Sequence, residues 1–525
     1  MGRIIRAISA LGAVGAMGAL LASSVGPTPT ATAEPNPIAQ WRSYWVDSFR
    51  PSIYTPENVD KLVADAEALG ANALIVQVGR WMDCFCNRSA FPRTHVAIDP
   101  AFDPLDDVIE KAHAAGIEVH AWVNATPMWN AATPPPSPDH VFHTHGETAT
   151  GADRWLNKRV DGAERVNTMN VMDPANPAAA DYVVDGIASI VDEYDIDGIN
   201  LDYIRYPDYN STTETSDWGY SDVSLQRFRD ATGRTDTPAP ADLQWSEWRR
   251  AQVTALVRKI YLSMYERKPL ARLSVNGITY GFGPQSVGGW ERTRTYAEVM
   301  QDWKGWLDEG IIDTTVAMNY KREHLPDQQQ MFREWNEVLA DWQAGRHNVV
   351  GPAVYLNSVP DSVRQARAAL MPTATGNRVV GWSGYSYAVP SAAANTDPSL
   401  ADAERAALAS AFTQQDPTGA DEPVFARPAK VPSMPWKTRP ETGHVTGELV
   451  GQDGMPLDQR TVSVHDLRTG KKVASGLTDG SGWFGIVDVP PGSWQVRADV
   501  PGSHDVRTVV HVRKGRVTTA AFAPS

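Results

Sequence analysis

DIDGINLDYIRYP, residues 195–207, is the stretch that decides the fold. It leaves a helix end, runs through an apolar strand, and finishes among acidic, aromatic and cationic side chains. In an extended strand successive side chains face opposite ways, so Ile199, Leu201 and Tyr203 point to one side and Asn200, Asp202 and Ile204 to the other. A barrel strand has an apolar outer side and a core-facing inner side, which sends Asn200 and Asp202 inward, near the mouth. A carboxylate buried there is costly unless paired, and Arg80 and Arg205 are the available cations. A functional carboxylate is one reading; a structural Asp–Arg pair is the other.

Working outward from residues 198–204, seven more apolar strands alternate with helical segments: 41–47, 72–78, 117–124, 273–278, 314–320, 349–356 and 379–385. That alternation predicts an α/β protein with a parallel sheet. The helices carry end signals. In TPENVDKLVADAEALG, Thr55 is an N-cap, Pro56 takes the first helical position, Gly70 stops the helix, and Val59, Leu62, Val63, Ala66 and Leu69 mark one apolar face. Residues 103–116 repeat this grammar. Eight such units predict a (β/α)8 barrel of the TIM type over residues 40–415, with an open sheet as the alternative.

The ends of the chain read differently. Residues 1–33 have a basic start at Arg3 and Arg6, an apolar run of small residues, and Ala31-Thr32-Ala33 before Glu34, the three-part pattern of a secretory signal. A membrane anchor is the alternative, disfavoured because the run is short and rich in Gly and Ala. Cleavage after Ala33 would make an exported, secreted or cell-envelope protein without stable membrane insertion. Residues 416–442 are Pro-rich and aperiodic, a linker. Residues 443–525 show short alternating strands between Gly, Asp and Pro turns, the pattern of a small all-β sandwich.

Composition narrows the partners. With 42% hydrophobic and 21% charged residues the chain is an ordinary globular protein. Its formal charge of −14 becomes −16 once the two signal arginines are removed, which disfavours nucleic acid and anionic membranes. The only cysteines, Cys84 and Cys86, are too few for a structural zinc and read as packed or free thiols, with a local disulfide as the alternative in an oxidising compartment.

Chemistry is expected at the C-terminal strand ends, where side chains from distant segments converge. Three long connections, 79–101, 125–172 and 207–242, follow such ends and would wall a groove. They carry Trp81, Trp129, Trp155 and Trp218, suited either to stacking on sugar rings or to packing the loops. Polar residues at the strand ends include Asp47, Gln77, Arg80, Asp83, His120, Asn124, Asn200, Asp202, Arg205, Asn276, Asn319, Tyr320, Lys321, Glu323, Tyr355 and Tyr385. There is no serine nucleophile elbow, and residues 281–289 lack dinucleotide-loop spacing. The cluster His140, His143 and His145 lies in a polar loop and reads as solvated rather than metal-binding.

Two carboxylates flanking a bond are the minimal equipment for glycoside cleavage. Asp202 is the first candidate. Glu323, after strand six, is preferred as the second over Asp83 and Asp47, although beside Lys321 and Arg322 it also reads as a surface ion pair.

Residues 40–415 resemble the bacterial glycosyl hydrolase-like 10 proteins. The likeness rests on NALIVQVGRWMDCFCNRSAFPRT, FDPLDDVIEKAHAAGIEVHAWVN, MDPANPAAADYVVDGIASIVDEYDIDGINLDYIRYP, EWRRAQVTALVRKIY and DTTVAMNYKRE, in that order. The family's strand-two pattern matches Gln77, Val78, Arg80 and Asp83; its HAW.N pattern matches His120, Ala121, Trp122 and Asn124; its LD.IRYP pattern matches Leu201, Asp202, Ile204, Arg205, Tyr206 and Pro207. The chain departs from it with Gly79, Cys84 and Cys86, and with Tyr203 where some members have a second Asp. The tail, through GHVTGELVGQDGMPL and TDGSGWFGIVDVPPGSWQVRA, is similar to carboxypeptidase regulatory-like modules.

The resemblance implies a barrel acting on glycosidic bonds of a polysaccharide, with cell-wall glycan as a substrate of some members, and no cofactor. The expected roles are Asp202 as nucleophile or transition-state stabiliser and Glu323 as general acid/base. Arg80, Asp83, His120, Trp122, Asn124, Asn200, Arg205, Tyr320 and Tyr355 are expected to bind substrate. The rival readings are a non-catalytic glycan-binding barrel and a metal-assisted deacetylase built on the histidine loop.

Overall fold

The computed structural model describes residues 37–415, 422–500 and 506–522. The expected signal segment, residues 1–33, lies outside them. Eight parallel strands form a closed barrel: β1 (Trp41–Val46), β2 (Ala73–Gly79), β3 (Glu118–Asn124), β4 (Gly198–Asp202), β5 (Arg272–Ile278), β6 (Thr314–Asn319), β7 (His347–Pro352) and β8 (Gly381–Tyr385). Closure is direct, since β8 pairs with β1, Tyr385 lying beside Trp45. An open sheet is thereby excluded.

Each strand is followed by a helix that covers its outer face. These are α1 (Pro56–Leu69), α2 (Pro104–Ala114), α3 (Pro177–Glu193), α4 (Leu243–Arg267), α5 (Trp303–Glu309), α6 (Pro326–Asp341), α7 (Val359–Leu370) and α8 (Ala401–Thr413). In α1 the Thr55 side chain accepts the Asn58 N–H, Pro56 opens the first turn, and Gly70 ends the helix at φ 72°. Val59, Leu62, Val63, Ala66 and Leu69 are all buried, and each large one contributes about 1.5–3 kcal/mol by leaving water. A Leu62→Ala change would remove one of these contacts at a cost of about 2–5 kcal/mol.

The barrel interior is unusually aromatic. Trp45 reaches across it to donate to Asn276 Oδ1 at 3.2 Å. The space comes from Gly351 on β7, where a Cβ would sit 2.3 Å from the Trp45 ring. Lower down, Ser43 bonds Ser383 at 2.7 Å and Asn200 bonds Ser274 at 2.9 Å. Trp41 and His120 pack at 4.7 Å nearer the foot.

Beyond the barrel, seven strands form two sheets: β9 (Gly443–Glu448), β10 (Thr461–Asp466), β11 (Lys472–Leu477), β12 (Trp483–Val489), β13 (Gly492–Ala498), β14 (Val506–Val512) and β15 (Val517–Ala520). One sheet has the order β12-β9-β15 and the other β11-β10-β13-β14, with Val445, Val462, Val464, Phe484 and Val496 in the core between them. Lys259 on α4 bonds Ser481 at 2.8 Å, and Arg227 pairs with Asp458 at 2.7 Å, so this module is docked on the barrel's flank. The preceding segment packs under the barrel. Residues Ala429–Lys430 pair with Ile38–Ala39, and Arg272 donates to the Pro432 carbonyl at 2.7 Å.

The expectation of free thiols is overturned. Cys84 and Cys86 form a disulfide with Cα atoms 5.0 Å apart, within ordinary disulfide reach, because the loop after β2 curls back on itself there. Among the described residues no helix is long and apolar enough to cross a membrane.

Candidate active site

A cleft of about 330 Å³ opens at the C-terminal ends of the barrel strands. Its floor carries Asp202, Trp122, Asn124 and Gln77; its walls carry Phe49, Tyr203, Arg205, Tyr280, Tyr320, Lys321, Tyr355 and Tyr385. The pattern is an aromatic box around a few polar groups, suited to a ring with hydroxyls on its edge. Asp202 is the only carboxylate lining it among the described residues.

Local structure explains how Asp202 is presented. β4 ends at Asp202, and the next residue, Tyr203, takes a left-handed backbone with φ 49°. A large side chain in that region is strained, and such strain concentrates at functional sites. The turn aims the Tyr203 N–H at Asp202 Oδ1, 2.7 Å away. Gln77 accepts from the Ser48 N–H at 3.1 Å and hydroxyl at 2.8 Å, and donates to Asn124 at 3.3 Å. Asn124 accepts the Trp122 indole N–H at 2.9 Å and donates to the Arg80 carbonyl at 3.2 Å. Floor and loop are therefore one hydrogen-bonded unit.

Burial pushes the Asp202 carboxyl up, outweighing the Tyr203 N–H, the Arg205 charge, Asn276 and Trp122, all of which favour its ionised form. Lys321 is shifted the other way: burial, with Arg294 adding like charge, lowers it to about 7. Its ammonium donates to the Thr279 carbonyl at 2.8 Å. Burial likewise pushes Tyr280 up to about 12, and its hydroxyl donates to Asp208 at 3.0 Å. Asp208 also lies 3.8 Å from Arg205. A second carboxylate thus stands directly behind two residues of the cleft wall.

Of the residues named from sequence, Asp202, Trp122, Asn124, Arg205, Tyr320 and Tyr355 line the cleft together. Arg80 stands behind Phe49, its guanidinium 5.8 Å from that ring, and donates to the Ser48 carbonyl at 2.9 Å. Asp83 holds the loop after β2 by accepting the Trp81 N–H at 2.9 Å. His120 is fully buried beside Glu118 and Trp41, and Asn200 is fully buried on Ser274, both below the cleft. Glu323 is outside the cleft lining. Its backbone N–H donates to Asn357 at 2.8 Å and its carboxylate accepts from Gln329 on α6 at 3.2 Å. It follows the strand end by four residues, far enough for the chain to have turned onto the helix.

Each histidine of the loop spends one ring nitrogen on a backbone carbonyl. His140 bonds Trp81, His143 bonds Pro135, and His145 bonds Asp153, so the three do not converge. Trp129, Trp155 and Trp218 are buried in loop packing. Sequence reasoning missed Tyr203, Asp208 and Tyr280 as contributors. Tyr280 follows the end of β5 by two residues, a signal as good as the one that placed Tyr355.

The family model described as Glycosyl hydrolase-like 10 matches residues 40–365, and the model of the Carboxypeptidase regulatory-like domain matches residues 444–524. The chain is 25% identical over 435 residues to Glycosyl hydrolase YngK of Bacillus subtilis (strain 168), covering 76% of this chain and 74% of that protein. It is 24% identical over 315 residues to Glycosyl hydrolase DigH of Escherichia coli (strain K12), covering 54% of this chain and 61% of that protein. Among solved structures, the glycoside hydrolase domain of PgaB (BpsB) from Bordetella bronchiseptica is similar with a TM-score of 0.47 and 14% identity, over 70% of this chain and 99% of that one.

Proposed function

The chain belongs to the glycosyl hydrolase-like 10 family, and from that premise we propose that it is an exported glycoside hydrolase that cleaves a polysaccharide, bacterial cell-wall glycan being the first candidate. The observation that carries this reading is Asp202: a carboxyl group buried in an aromatic cleft at the barrel mouth, its proton affinity raised by that burial.

A raised carboxyl suits a proton donor to the leaving glycosidic oxygen. Asp202 is therefore assigned as general acid rather than as the nucleophile expected from sequence. Asp208, behind the cleft wall on Tyr280 and beside Arg205, replaces Glu323 as the leading second carboxylate, taking a proton from the attacking water by way of the Tyr280 hydroxyl, which passes its own proton to Asp208. Arg205, Asn124 and Tyr355 bind hydroxyls, and the tyrosine box excludes bulk water from the developing positive charge. The β-sandwich has no catalytic part in this scheme.

The test is incubation of the purified protein with a panel of glycans that includes peptide-free cell-wall strands, beside Asp202→Asn and Asp208→Asn. Product release lost in both variants is expected. Release that persists with Asp202→Asn would sink the assignment, and no release on any glycan would favour a glycan-binding barrel.

A further inference from the structure

A second cavity, of about 460 Å³, adjoins the Asp202 cleft and shares one wall with it. The shared wall is Tyr280, the only one of the described residues that lines both. Its ring is covered on one side by the Arg294 guanidinium, 4.8 Å from the centroid, and its hydroxyl is held by Asp208. Arg294 is itself fixed by Glu298 at 2.6 Å. Tyr280 is thus clamped from two directions and stands as a fixed divider between the two spaces.

The second cavity has the makings of a sugar site. Phe282, partly buried, lines the cavity beside Tyr280 with its aromatic side chain. Around the rim, Arg292 and Arg294 are balanced by Glu214 and Glu291, so planar donors and acceptors alternate without net charge. Among the described residues no hydrogen bond or ion pair holds the exposed Arg292 side chain, which stays free to meet a ligand. Apolar faces with a few polar groups suit a pyranose, and charge balance favours an uncharged sugar over an acidic one. The volume falls in the range of small-ligand sites, about 300–1,000 Å³.

We infer that this cavity is a binding subsite for uncharged sugar units of the same glycan chain whose bond lies over Asp202, with Tyr280 between the two positions. The inference rests on the barrel acting on glycans. It adds that substrate length matters, because chain beyond Tyr280 gains contacts that shorter pieces cannot reach.

The test uses the full chain and a ladder of β-1,4-linked N-acetylglucosamine oligosaccharides from disaccharide to hexasaccharide, read in two ways. One is kcat/KM for the wild type, Phe282→Ala and Arg292→Ala. The other is calorimetric affinity for the same two substitutions made in Asp202→Asn. Both quantities are expected to rise about tenfold, or ~1.4 kcal/mol, at the length that passes Tyr280. Phe282→Ala and Arg292→Ala should erase that step while shorter oligosaccharides and the unfolding midpoint stay as they were. An affinity step erased by these substitutions, without turnover, would keep the subsite and sink hydrolysis of this glycan. A flat ladder, or a step that survives both substitutions, would overturn the subsite.

Discussion

Asp202 and Asp313 are both buried carboxylates at the ends of barrel strands, and the protein treats them in opposite ways. Asp313 lies at the foot, just before β6, fully buried. It pairs with Lys437 at 2.6 Å and accepts the Leu273 N–H at 2.8 Å and the Trp436 indole N–H at 2.7 Å. Burial alone would push it up, yet these partners outweigh burial and hold it below the ordinary carboxylate range. Asp202, at the mouth, has a backbone N–H and neighbouring dipoles but, among the described residues, no cation within ion-pair distance, and it is pushed up. The foot satisfies its charge completely and so fixes the segment that carries Trp436 and Lys437 against the barrel. The mouth leaves its carboxyl able to exchange a proton, at a cost in stability.

The sharpest way to break this comparison is Asp202→Asn. Loss of a general acid is expected to lower kcat by about 10²–10⁴-fold. Because the folded carboxyl has the higher proton affinity, its ionised form costs stability above the carboxylate range, and that cost fades as pH falls. The amide variant should therefore be at least as stable as the wild type at pH 7, with the difference narrowing towards pH 4 in urea titrations. A destabilised variant at pH 7 would make Asp202 structural.

Asp313→Ala should do the reverse. It leaves Lys437 buried without its partner, a loss of about 3–5 kcal/mol in chemical denaturation, while activity per folded molecule is kept. In the wild type this contribution is present above the ordinary carboxylate value of 3.8 and is lost only as pH falls through the lower folded value. Reduced kcat with unchanged stability would erase the distinction between mouth and foot.

Lys321 extends the contrast to a cation. It sits at the mouth at about 7 against an ordinary 10.5, so its charged form costs stability below pH 7 and that cost declines as pH rises towards 10.5. Lys321→Met is expected to gain roughly 1–3 kcal/mol at pH 6 and progressively less towards pH 10. A gain independent of pH would assign the effect to packing. The smallest effect is expected of Glu323→Gln: kcat/KM within about twofold of wild type, as for surface substitutions generally. A large drop there would bring Glu323 back as the second carboxylate.

These particular residues show how far the chain could be read without coordinates. The eight strands, their order and the inward direction of Asp202 were legible because each depends on a local period, two residues in strands and 3.6 in helices. Depth was not. Asn200 and His120 face inward as expected, but at about 3.3 Å per residue Asn200 sits roughly 7 Å below Asp202, and His120 roughly 13 Å below Asn124. Both belong to the packed interior, where they support the floor without touching the cleft.

What the sequence determined by itself, then, is the alternation that makes a barrel and the residue that its fourth strand carries to the mouth. The tertiary structure alone decided which loops meet there: Asp208 and Tyr280 beside Arg205, with Glu323 turned onto α6 and Cys84 joined to Cys86. The reason is physical. Periodicity is set by neighbours along the chain, whereas the convergence of loops depends on how eight tilted strands close, a property that no single segment contains.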